Sequence, residues 1–141
     1  MPRESARNSC VQARWEGVSR GEHGFRIEIY TALHAESFSL TMMGLRALLD
    51  TYMVKKVGDS GTFKDKLEKL VSLGFLSAAQ VLQIEPALEA GHAAAHRGFN
   101  PPPETVTFVL DVVELLLHQD LLGAQASTIN ASIPRRESAN K

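Results

Sequence analysis

The sequence predicts an all-α domain: an antiparallel four-helix bundle with a long first helix and flexible N- and C-terminal tails. Three observations carry this. Apolar residues recur at helical spacing in four separate stretches between residues 25 and 122. The stretches are divided by short breaks rich in glycine or proline, of which "GDSGT" and "RGFNPPPET" are the clearest. No useful length alternates apolar and polar residues; "FRIEIY" comes nearest, and it sits more naturally in the lead-in to the first helix.

The first helix is expected over about Ile27–Lys56, where Tyr30, Leu33, Phe38, Met42, Leu45, Leu49 and Met53 form one broad stripe, with an interruption allowed near Ser37 or Ser39. Thr62 with Asp65 makes a capping pair for a short helix carrying Phe63, Leu67, Leu70 and Val71, and Gly74 is placed to end it. Ser77 with Gln80 repeats the capping signal for a third helix reaching His96. Pro86 lies inside that helix and removes one backbone hydrogen bond, so a kink or break is expected near Ile84. Gly98 ends it, and three prolines lead stiffly into a fourth helix at Pro103 or Glu104. That helix, "ETVTFVLDVVELLLHQDLL", is apolar nearly all round, which suits a central element or one facing another subunit. Residues 1–24 hold no sustained period and read as an arm in which Trp15 could dock, and residues 123–141 read as a second tail.

With 141 residues and 44% apolar content, the chain fits a single domain with its own core. A formal charge of −1 supplies no general field for nucleic acid or anionic lipid. Cys10 is the sole cysteine, which excludes an internal disulfide and a Cys-based zinc ribbon and fits a cytoplasmic setting. Neither a signal-peptide core nor a membrane span is expected.

Interest then falls on polar residues near the apolar faces. Arg46 and Asp50 stand i, i+4 on the first helix, while Asp111, Glu114 and His118 draw a polar line along the fourth. The simplest arrangement sets Arg46 against Asp111 or Glu114 across the bundle, with the third-helix histidines nearby. A buried ion pair that fixes register is the plain reading; a functional polar pocket is the sharper one. In "EAGHAAAHRG", His92 and His96 share a helix face in the spacing of paired metal histidines, and Glu89 precedes His92 by three. No second Glu-x-x-His element, "HExxH" or thiolate strengthens them, so they are weak metal candidates and no cofactor is implied. Gly91, Ala93, Ala94 and Ala95 add little bulk, so a neighbouring helix could approach closely and trap the imidazoles. Neither a nucleophile elbow nor a phosphate-cradling loop is present: "GDSGTFKDK" lacks the Walker spacing.

Taken together, "IYTALHAESFSL", "GLRALLDTYM", "GTFKDKLEKLVSLGFLS" and "EAGHAAAHRGFNPPPE…LDVVELLL" resemble the bacterial domain of unknown function 4145 family over about residues 25–122. Arg46 matches the arginine of that family's first helix, Gly91 and His96 match the ends of its small-residue signature, and His92 stands where many relatives carry asparagine. The family is similar in outline to the HEPN helical domains, many of them dimeric, metal-independent ribonucleases or inert partners. Their signature arginine stands four to six intervening residues before a histidine. Here those positions hold Glu89, Ala90 and Gly91 before His96, and Glu85, Pro86 and Ala87 before His92. If His96 acted as a general acid or base, Arg97, Arg46 or a second subunit would have to supply the cation.

The residues therefore favour a non-enzymatic helical interaction module, homodimeric, with a further protein partner open and no membrane role. The alternatives are a divergent HEPN-like ribonuclease or RNA-binding domain using His96 with Arg97 or Arg46, and a metal-binding bundle through His92 and His96.

Overall fold

The structure, a computed structural model, describes residues 20–136. It is all-α, with no strand among the described residues, and holds five helices: α1 Arg20–His34, α2 Phe38–Val57, α3 Phe63–Ser72, α4 Ala78–His96 and α5 Pro103–Ser132. The expected long first helix is thus two. "FRIEIY" lies within α1, and the arm expected over residues 1–24, with Cys10 and Trp15, falls mainly outside the described residues.

The break between α1 and α2 has an identifiable cause. Glu36 stands at φ 56°, in the left-handed region that normally favours glycine. Its N–H donates to the Leu33 carbonyl at 3.0 Å, and the Ser37 N–H donates to the Ala32 carbonyl at 2.9 Å. This paired termination closes α1 and turns the chain back. Gly74 makes the same turn after α3 at φ 79°: its N–H reaches Val71 O at 3.1 Å and Phe75 N–H reaches Leu70 O at 2.9 Å.

Both capping pairs form. The Thr62 hydroxyl accepts from Asp65 N–H at 3.2 Å, while Thr62 N–H donates to Asp65 Oδ2 at 2.8 Å. The Ser77 hydroxyl accepts from Gln80 N–H at 3.2 Å, and Ser77 N–H donates to Gln80 Oε1 at 2.8 Å. Hydrogen bonds from the Thr62 backbone, then from its hydroxyl, hold the Asp65 carboxyl below the usual aspartate range. The Arg97 guanidinium does the same to Glu89. A folded pKa below the unfolded value gives stability that is present above about pH 4 and lost as pH falls through the folded pKa. The urea midpoint is therefore expected to fall between pH 5 and pH 3. Asp65→Asn should lower it at pH 7 and flatten that acid slope; an unchanged slope would contradict the assignment.

The helix across Pro86 is unbroken. The carbonyl deprived of its partner belongs to Leu82, which is 71% exposed, so water can satisfy it and the helix need not part. Pro103 opens α5 at a position where its missing N–H costs nothing. At its other end α5 runs on to Ser132, past Leu122 where the apolar pattern fades, and residues 122–136 are all exposed.

The central element is α2, which packs against all four other helices. It can do so because it is apolar on more than one side: Met42, Leu45, Leu49 and Met53 make one buried row, and Thr41, Leu48 and Tyr52 widen it. Ile29 from α1, Leu67 and Leu70 from α3, Ile84, Ala87 and Ala94 from α4, and Val106, Val109, Val113 and Leu116 from α5 close around it. The greasy α5 is not the centre. One of its sides enters the core and another remains uncovered.

Candidate functional site

The residues singled out in the sequence divide between two faces of α2. On the first, α2 meets α4 at Gly91. A Cβ there would lie 2.7 Å from the Arg46 Cβ and 3.0 Å from its Cδ, so the missing side chain lets the arginine stem lie on the α4 backbone. Ala87, Gly91 and Ala94 are the buried side of α4. The close approach expected from the small residues is therefore real, but the imidazoles are not trapped in it. His92 and His96 lie further round the helix, exposed, with ring centroids 4.6 Å apart and planes tilted by 47°. Among the described residues, no group of three or more His, Cys, Asp or Glu could hold a metal ion. Arg97 caps α4 and forms an exposed ion pair with Glu89. Its guanidinium is thereby engaged at the place where phosphodiester chemistry at His96 would need it.

Arg46 does not pair with Asp50. Its Cζ stands 4.6 Å from the centroid of Phe63, the first residue of α3, a cation–π distance. Its Nε is buried and meets no hydrogen-bond partner among the described residues. An unmet buried donor costs about 1–3 kcal/mol. Asp50 instead accepts from Lys66 Nζ at 3.3 Å, and Asp59 accepts from the same ammonium at 3.3 Å. Lys66 is only 5% exposed, and its Nζ lies 5.6 Å from the same Phe63 ring. Burial, the largest single influence, works against its charge. The hydrogen bonds and charges of Asp59 and Asp50 together outweigh it and hold the pKa above the ordinary lysine value. One ring thus carries two cations, of which Lys66 is neutralised twice and Arg46 is met by no carboxylate among the described residues.

On the second face lie the acids of α5. Glu114 accepts from the Tyr30 hydroxyl of α1, and both border a small cavity of about 10 Å³ with Arg26, Ile29, Leu45 and Leu48. Arg26 is buried at 7% exposure. Asp111 is exposed, and His118 is half-buried with Nδ1 meeting no partner among the described residues. Arg46 consequently meets neither Asp111 nor Glu114, because α2 turns its Arg46 side to α3 and α4 while Glu114 faces α1. Sequence spacing places Phe63 and Tyr30 only in the apolar rows and does not single out Lys66 or Arg26. For Lys66 a signal existed: it lies three residues after Phe63 and four before Leu70, in phase with the apolar row of α3.

A family model described as domain of unknown function 4145 matches residues 27–136. The chain belongs to that family. No curated protein and no solved structure matches it. In this member of the domain of unknown function 4145 family, the matched region begins within α1 and runs to the end of the described residues, taking in all of the long α5. No helix among the described residues is long and apolar enough to cross a membrane.

Proposed function

We propose that this domain is a non-enzymatic interaction module that self-associates through the uncovered side of α5. The observation that carries the reading is a stripe. Phe108, Leu115, Leu122 and Ile129 recur every seventh residue and are 43%, 47%, 48% and 57% exposed. Over the 30 residues of α5, about 45 Å of helix, they form one nearly straight seam. A strict seven-residue repeat drifts slowly around an α-helix in the sense that a left-handed helix pair follows. Isolated exposed apolar residues need no explanation, whereas four in one line do.

The charge pattern selects a second copy in antiparallel orientation. α5 carries Glu104, Asp111, Glu114 and Asp120 and no lysine or arginine, and its last third, from Leu121, is uncharged. Side-by-side parallel helices would align acid with acid. Antiparallel pairing sets the acidic part of each helix against the uncharged third of the other, opposes the helix dipoles favourably, and places Phe108 opposite Ile129 and Leu115 opposite Leu122. Gly123, Ala124 and Ala126 leave room for close approach.

The test is light scattering at micromolar concentration. The 15.4 kDa chain is expected at twice that mass, and the double variant Leu115→Glu/Leu122→Glu at the single mass with its helical circular dichroism intact. A wild-type chain that remains monomeric would overturn the reading. So would a variant that stays dimeric.

A further inference from the structure

We propose that Arg46, seated on Phe63, is a binding residue for a single oxyanion, a carboxylate or phosphoryl group. This is independent of how α5 pairs. Three features of the site converge. The first is preorganisation: Gly91 lets the arginine stem lie against α4, and the Phe63 ring supports the guanidinium at 4.6 Å, so little freedom remains to be lost on binding. The second is an open hydrogen-bonding capacity. The guanidinium makes no hydrogen bond among the described residues; its Nε–H is shielded from solvent, but its terminal nitrogens are not buried and remain for the two-pronged contact that a guanidinium makes with a carboxylate or phosphate.

The third is charge. The nearby acids are committed elsewhere: Asp50 and Asp59 to Lys66, and Glu89 to Arg97. Arg46 is therefore a half-buried cation that meets no carboxylate among the described residues, and a bound oxyanion would supply that counter-charge. The same acids limit what can bind. Asp50 and Asp59 flank Lys66 beside the same ring, and the chain carries a net charge of −1, so the site repels an extended polyanion and suits one isolated oxyanion.

The experiment follows the Arg46 Nε–Hε signal by ¹⁵N NMR of the full chain, assigned through its loss in Arg46→Lys. Inorganic phosphate, acetate and chloride are added in separate titrations at matched ionic strength. The expected result is a saturable shift of that signal with phosphate or acetate at millimolar concentration, and none with chloride. The two arms separate a phosphoryl from a carboxylate source. Phe63→Leu keeps the charge and removes its support, and should weaken the binding about two- to fivefold. Equal, non-saturating drift with all three salts would overturn the assignment. So would full affinity in Phe63→Leu. Should Arg46→Lys fail to fold, through-bond correlation from the Arg46 side chain in the wild-type chain supplies the assignment, and the titration still decides.

Discussion

Gly91→Ala is expected to destabilise the domain by about 1–2 kcal/mol, and Gly91→Val by about 3 kcal/mol, in urea unfolding followed by circular dichroism. Overpacking a closed helix interface costs about 1–3 kcal/mol, and for alanine a gain of about 1 kcal/mol in helix propensity offsets part of it. The atom that an added Cβ meets first is decisive. At Gly91 it is the Arg46 Cβ, at 2.7 Å, which no side-chain rotation can remove, so α2 and α4 themselves must separate. Arg46→Ala therefore cannot rescue the variant, whereas Arg46→Gly can, and a double-mutant cycle should show coupling with the second and little with the first. Gly44 offers the contrast. A Cβ there meets the Ile29 Cγ1 at 2.6 Å but its Cβ only at 3.7 Å, so a shift of the isoleucine side chain absorbs part of the strain and Gly44→Ala should cost less. A Gly91→Ala chain as stable as the parent would refute the close packing of α2 on α4.

The two glycines also mark how far the sequence could be read. Gly91 sits in a run of alanines, so a close approach at that turn was legible, and so were both capping boxes, Gly74 as a helix end and Pro103 as a helix start. These are local signals, each set by residues within one turn of one another. An interruption near Ser37 was legible, but not the sharp turn that makes two helices of one, because the left-handed position that usually carries glycine carries Glu36, and a residue type without that preference announces nothing. The site was harder for a different reason. Arg46 and Asp50 have the spacing of an ion pair, but partner choice depends on which helix lies opposite. α3 brings Lys66 to Asp50 and Phe63 to Arg46. Spacing along one helix carries no information about that. The same holds for Glu114, whose partner Tyr30 comes from a helix 84 residues earlier. The apolar character of α5 had two readings, centre or interface. Its exposed seven-residue stripe and the hub position of α2 now remove the first.

Leu45→Ala is expected to cost about 3–5 kcal/mol, the largest loss among single core truncations at α2, and to lower the thermal midpoint by roughly 10–20 °C. Leu45 is 1% exposed, and it lies on the helix against which every other helix docks. It also borders the cavity of about 10 Å³ beside Tyr30 and Glu114. A void left by the truncation would join that space, and the cost of a large-to-small change rises with the cavity that the surroundings fail to close. Collapse is resisted from both sides, by Leu48 and Leu49 one turn along α2 and by Val113 across from them. The loss is a large share of the 5–15 kcal/mol that usually holds a domain together, so the transition should remain cooperative while moving as a whole. Leu82→Ala is the control: that side chain is 71% exposed on α4, and its truncation should change stability by no more than about 0.5 kcal/mol. If the two variants unfold within about 1 kcal/mol of each other, α2 does not organise the core, and the placement of Arg46 and Gly91 on its flank loses its support.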